Sequence, residues 1–252
     1  MAALADLAQL PVGTLVALGL ALLIAAIVRG YSGFGFSMLA VSGLTLALPP
    51  AEAVPIVFIL EVAASIHMLP GVWRQVDWRS LWPLVVGALV ATPFGVHLLA
   101  TLPETPVRLA IAALVVTTTI LIWRGFALKR VPGLGATLAT GTAVGLLNGG
   151  LGIGGPPVIL FYLSSPAGTA AVRASLVAYF LATDTYALVL GAAEGLVTTR
   201  TFLTALLMLP LLAVGIVVGS RGFIRTDPAA FRKAVLVLLL VLSVVGVVRA
   251  LL

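Results

Sequence analysis

The sequence predicts an all-α polytopic membrane protein of two inverted repeats. Each repeat has about five helical segments and opens with a glycine-broken helical hairpin. Three observations carry this expectation. The first is composition: 62% of residues are hydrophobic and 9% charged, whereas a soluble domain carries about 25% charge. Apolar stretches of roughly 14–23 residues recur along the chain, and a helix needs about 20 residues to cross a bilayer. The second is a pair of glycine-rich breaks, Gly30-Tyr31-Ser32-Gly33-Phe34-Gly35-Phe36-Ser37 and Asn148-Gly149-Gly150-Leu151-Gly152-Ile153-Gly154-Gly155, with Gly33 and Gly150 117 residues apart. A break frees backbone N–H and C=O groups that cost several kcal/mol each in hydrocarbon, so it must face protein or a wet cavity. The third is the placement of basic residues, which becomes one-sided when each break is a hairpin tip.

Proline, glycine and charge clusters divide the chain into ten segments. The first half holds 12–29, 34–48, 52–70, 81–100 and 105–123, and the second holds 132–147, 152–165, 171–193, 200–219 and 229–251. Pro50, Pro106, Pro132 and Pro228 stand at segment starts, where a missing N–H is harmless. If the breaks were mere kinks, eight spans would result and the basic residues would divide seven against six. As hairpin tips, they place Arg74, Arg79, Arg124, Lys129, Arg130, Arg173, Arg221, Arg225, Arg232 and Lys233 on one side, against Arg108, Arg200 and Arg249. Ten against three is the bias of a cytoplasmic face. Segments 34–48 and 152–165 reach only about 21–23 Å at 1.5 Å per residue, so re-entrant tips fit as well as full crossings. Both termini are then expected outside, with the 124–131 loop in the cytoplasm of a cell bounded by this membrane.

The 117-residue offset matches Gly33 with Gly150, Gly35 with Gly152, Pro49 with Pro166 and Pro93 with Pro210. The expected repeats are 1–127 and 128–252, forming one integral membrane domain. An odd number of passes inverts the second repeat, so the two tips approach from opposite faces and meet near the midplane. Arg108 aligns with Arg232 only if about seven residues are added near 219–228.

The tips are the candidate binding site. Helices restarting near Gly35 and near Gly155-Pro156 aim N-terminal N–H groups, and about half a positive charge, at the site. Tyr31, Ser32, Ser37 and Asn148 supply further donors. With Gly33, Gly35, Gly149, Gly150, Gly152, Gly154 and Gly155, they suit a small anion such as a carboxylate, sulfonate or sulfite. The competing reading is that the glycines only permit close helix packing. Arg29 either neutralises a bound anion or snorkels to the interface. Arg173 is read as a cytoplasmic boundary residue. Glu61 and Asp184 lie near the middle of their segments, where carboxylates are costly and functional by default. They are candidates for proton coupling, or for hydrogen bonds across helices.

Several functions are excluded. The chain has no cysteine, which removes disulfides, thiolate chemistry and Cys-ligated metals. It has no H-E-x-x-H, G-x-S-x-G or P-loop motif, so it is not expected to be an enzyme or an ATP-driven pump. The G-x-G-x-x-G match at Gly150–Gly155 has no strand or βαβ unit to support it. The net charge of +6 comes from short loops and fits membrane orientation rather than nucleic acid. Met1 to Leu10 holds Asp6 and no Lys or Arg, unlike the basic start of a secretory signal. Trp73, Trp78 and Trp82 surround Arg74 and Arg79 as an interfacial belt would. Gly141 with Gly145 and Gly215 with Gly219 have helix-packing spacing. His67 and His97 lie near span ends. No cofactor or metal is expected. The partners are a small anion and lipid, with a homodimer left open.

The paired breaks resemble those of the sulfite exporter TauE/SafE family of membrane transporters. So does Gln75-Val76-Asp77-Trp78, followed by a span bearing Pro83, Gly87, Pro93 and Gly95. The resemblance covers nearly the whole chain. It implies movement, usually outward, of sulfite, sulfoacetate or related organosulfonates, at a site around Gly33, Gly35, Gly150, Gly152 and Asn148. Gly195-Leu196-Val197-Thr198 lacks the Asp-Trp element that strict symmetry demands. The expected function is secondary transport of a small sulfur anion by alternating access. The alternatives are an anion channel, or a carrier for another anion such as a carboxylate.

Overall fold

The computed structural model describes residues 12–124, 133–163 and 168–222, which form helices and short connections with no strand among them. The helices are α1 (Val12–Ser32), α2 (Phe36–Leu44), α3 (Pro50–Val72), α4 (Trp78–Thr101), α5 (Glu104–Trp123), α6 (Leu134–Leu151), α7 (Gly155–Leu163), α8 (Thr169–Ala193) and α9 (Thr199–Gly222). A 3₁₀ turn, Trp73–Gln75, continues α3. Five of these helices are long and apolar enough to cross a membrane: α3 with its 3₁₀ turn, α4, α5, α8 and α9. The chain is an all-α polytopic membrane protein. Both termini, the expected segment 229–251 and most of the 124–131 loop lie outside the described residues, with Lys129, Arg130, Arg225, Arg232, Lys233 and Arg249.

The breaks are narrower than their glycine content suggests. Helix α1 runs on through Gly30, Tyr31 and Ser32, and α6 runs through Asn148, Gly149, Gly150 and Leu151. A glycine inside a helix costs only about 1 kcal/mol. Within the two breaks the chain turns where glycine takes a left-handed φ, at Gly33 (79°), Gly35 (87°) and Gly152 (67°). Consequently α2 and α7 have 9 residues each, about 13 Å, and are shorter than the expected segments 34–48 and 152–165.

Both breaks are hairpins. Helix α2 doubles back so that Gly43 lies against Ala21 of α1. Helix α7 returns until Tyr162 meets Ser80, at the start of α4. Helices α4 and α6 run parallel, Gly87 facing Gly141, Ala88 facing Gly145 and Gly95 facing Gly149. Helices α1 and α9 also run parallel, with Ala26 against Gly215 and Ile27 against Gly219. The small residues let backbones touch, which is how helices associate where lipid is as apolar as leucine. Helices α3 and α8 are antiparallel: the Asp77 N–H beyond α3 donates to Ser175 Oγ (2.9 Å), while Glu52 at the start of α3 pairs with Arg200 in the first turn of α9, which follows the end of α8. Simple kinks would have made α3 and α8 parallel.

Charges sort by end. Glu52, His97, Glu104, Arg108, Glu194 and Arg200 stand at one end of their helices; Arg74, Arg79, Arg124, Arg173 and Arg221 stand at the other. At the second end the three tryptophans pack together, Trp73 edge-on to Trp78 with ring centroids 4.6 Å apart and Trp82 tilted against Trp78 at 6.3 Å. Asp77 caps α4 by accepting from the Ser80 N–H (3.4 Å). Thr198 does the same for α9, accepting from the Thr201 N–H (3.2 Å), so a hydroxyl replaces the missing Asp-Trp element.

Arg108 of α5 fixes the far end of the first hairpin. Its guanidinium donates to the Thr45 and Leu48 carbonyls beyond α2, and to Glu104 at 3.1 Å. Arg108→Gln should therefore lower the melting temperature in detergent, because orphaned carbonyls cost about 1–3 kcal/mol. Glu104→Gln, which removes only an exposed partner, should change it little. Equal effects would refute the capping role.

Candidate functional site

The last turn of α1 carries Arg29 into the centre of the molecule, where it is 0% exposed. Its guanidinium donates to the Gly33 carbonyl at the first break and to Ser65 Oγ of α3 (2.7 Å). It stands 3.1 Å from Glu61 Oε2 and 5.0 Å from the centroid of the Phe180 ring of α8. Snorkelling is thereby ruled out. Glu61 is also fully buried, and the backbone N–H of Ser37 in the first turn of α2 lies within electrostatic reach of its carboxylate. Neither Glu61 oxygen closes a well-aligned hydrogen bond. A second arginine braces the same break: Arg173 Nη2 donates to the Gly30 carbonyl (2.6 Å) and lies 3.4 Å from Ser220 Oγ.

At the second break Asn148 Nδ2 donates to Asp184 Oδ1 of α8 (2.7 Å). Both residues are buried, and Asp184 Oδ2 has no hydrogen-bond partner. Asp184 also lies within electrostatic reach of Glu61, Arg29 and Tyr179. The polar centre thus draws on α1, α2 and α3 from the first half and on α6 and α8 from the second.

The two tips reach past each other rather than meeting. A methyl group on Gly33 would meet Arg173, near the start of α8, whereas one on Gly152 would meet Val41 and Val54. Measured along α3, Val54 and the Ser65 partner of Arg29 are about 16 Å apart. The charged side chains fill the interval. Gly149 and Gly150 lie against Gly95 of α4, and Gly154 against Asn148 and Val144. Gly155 opens α7. Ser32 is occupied locally, its single hydroxyl proton shared between the Val28 and Phe34 carbonyls at 2.7 and 2.9 Å. Tyr31 and Ser37 are buried. Pro156 and Pro157 strip two N–H donors from the first turn of α7, leaving α2 as the donor-rich helix start.

Ser65, Phe180 and the bracing role of Arg173 escape sequence reasoning. Ser65 had a signal, since it lies four residues after Glu61 and so shares its helix face. Arg173 had none, because its partner carbonyl is 143 residues away.

Gly33→Ala should destabilise by about 1–2 kcal/mol, the cost of a left-handed non-glycine residue. It should also push on Arg173, whose Cγ would stand 2.8 Å from the new methyl. Gly135→Ala, which meets nothing within 4 Å, should leave the melting temperature unchanged or slightly raised. Equal stability of the two variants would remove the bracing argument.

Two broken helices flanking a buried cluster of charged and polar side chains are a construction found in membrane transporters. The sequence model of the Sulfite exporter TauE/SafE family matches residues 18–245, and the chain belongs to this family. It is 28% identical over 212 residues to the probable sulfite/organosulfonate exporter TauE of Cupriavidus necator, covering 80% of this chain and 81% of that protein. It is 30% identical over 193 residues to the probable inner membrane transporter protein TsaS of Comamonas testosteroni, covering 73% of this chain and 78% of that protein. No solved structure matches it.

Proposed function

We propose that this protein is a secondary transporter in a bacterial inner membrane. It exports small sulfur-containing anions, sulfite or organosulfonates, by alternating access between two inverted halves. The observation that carries the reading is the convergence of buried polar side chains from both halves between the two helix breaks. The binding site is formed by Arg29, the Gly33–Ser37 break and Asn148, with Glu61 and Asp184 as the proton-coupling carboxylates. The names of the relatives support the substrate class and the membrane. Inversion is supported by the packing: α1 lies parallel to α9 as α4 lies to α6, which is the relation expected when 1–127 and 128–252 are repeats. The end bearing Arg74, Arg79 and Arg124 is the cytoplasmic one, which puts both termini outside.

The test is reconstitution into liposomes with measured sulfite and sulfoacetate fluxes. A carrier shows uptake accelerated by anion trapped on the far side, whereas a channel shows current and no such exchange. Absence of any flux of sulfite, sulfonates and simple carboxylates would overturn the reading.

A further inference from the structure

We infer that the Glu61 carboxylate is a tethered occupant of the anion site: it fills the place between Arg29 and the start of α2 that a substrate oxyanion takes, and it yields that place while taking up one proton. The inference rests on the anion-transport reading above.

Three features of the site lead there. Helix α2 starts at a buried position with no side-chain cap from Gly35. Helix starts with free N–H groups attract anions, and here a carboxylate from another helix, Glu61 of α3, stands within electrostatic reach of the Ser37 N–H. Arg29 stands over the same carboxylate at 3.1 Å, and its fully buried Nε has no acceptor. A sulfonate or sulfite offers three oxygens to this fork and to the N–H, whereas Glu61 offers two and aligns neither into a good hydrogen bond. The occupant is therefore held by charge more than by geometry, as an exchangeable ligand should be.

Charge counting adds the proton. The groups facing Glu61 are Arg29 from α1, the Ser37 N–H from α2, and Asp184 from α8. Arg173 and Tyr179 of α8 and Asn148 of α6 stand behind them. Arg29 balances Glu61 across 3.1 Å. A bound monovalent anion leaves one uncompensated negative charge in a water-excluded centre, which is costly. One proton on the displaced Glu61 carboxylate restores neutrality. Asp184 is already held by Asn148 at 2.7 Å, so Glu61 is the carboxylate free to leave. The anion and its proton then travel in the same direction.

The experiment is calorimetric titration of the purified full-length protein with methanesulfonate, whose charge is fixed over the working pH range. Buffers of different ionisation enthalpy count the protons taken up. Wild type should take up one proton per anion, with affinity falling up to about tenfold per pH unit on the alkaline side. Glu61→Gln should bind with no proton uptake and with little pH dependence. Wild-type binding without proton uptake would overturn the inference, and that count decides the matter even if Glu61→Gln fails to fold. Undiminished proton uptake in Glu61→Gln would also overturn it. If wild type binds none of methanesulfonate, sulfite and sulfoacetate, the anion-transport reading itself falls.

Discussion

Arg29→Gln should lower the melting temperature by about 6 °C or more and abolish transport. The substitution removes the cation facing Glu61 at 3.1 Å in a site where both side chains are essentially unexposed. Breaking a buried pair by deleting one partner costs about 3–5 kcal/mol, because the other charge is left buried and uncompensated. A change of that size shifts the melting temperature by several degrees in a chain of this length. The double variant Arg29→Gln/Glu61→Gln should recover most of the stability, since no orphan charge remains, yet still fail to transport. Arg29→Lys should fall between, keeping the charge but losing the fork that reaches Ser65 and the Gly33 carbonyl together. The idea would be refuted by a single variant as stable as wild type, or by a double variant less stable than the single one.

The second large effect is expected far from any charge. Gly145→Leu should prevent recovery of a monodisperse protein from detergent. A methyl group there would stand 2.8 Å from the Ala88 Cα and 2.9 Å from its carbonyl carbon. These are backbone atoms and cannot swing aside. Helices α4 and α6 would have to part along the whole seam formed by Gly87, Gly95, Gly141 and Gly149, exceeding the about 1–3 kcal/mol of ordinary overpacking. Gly219→Leu should do the same to α1 and α9, where the new group would stand 2.9 Å from the Ile27 carbonyl carbon and from the Tyr31 nitrogen. Gly71→Leu, with nothing within 4 Å, should be tolerated. Size-exclusion profiles of the three variants check this, and a normal profile for Gly145→Leu would sink the seam.

Much of the fold was legible because in a membrane each helix must satisfy its own backbone, and hydropathy marks where it does so. The segment 105–123 became Glu104–Trp123, and 171–193 became Thr169–Ala193. The glycine runs misled locally. Gly30, Gly149 and Gly150 do not break the helix; each faces the backbone of a neighbour, and sequence does not distinguish a glycine that turns the chain from one that admits another helix. The proton-coupling candidates were visible as intramembrane carboxylates. Their partners were not, because the Asn148–Asp184 and Arg29–Glu61 pairs span 36 and 32 positions and different helices.

By itself, the sequence determined that this chain is a bundle of membrane helices interrupted at two glycine-rich points. The cost of bare backbone in lipid leaves helices or closed barrels, and apolar runs of helix length select helices. The parity of its basic residues also gave the breaks as hairpins, since only that choice gathers ten of them on one side. Tertiary structure alone decided what lies between the tips. The breaks slide past one another, and Arg29, Glu61, Asn148 and Asp184 occupy the space between them. Which buried charge finds which partner depends on helix rotation and crossing, and those are set by long-range contacts among glycines and side chains that no local pattern encodes.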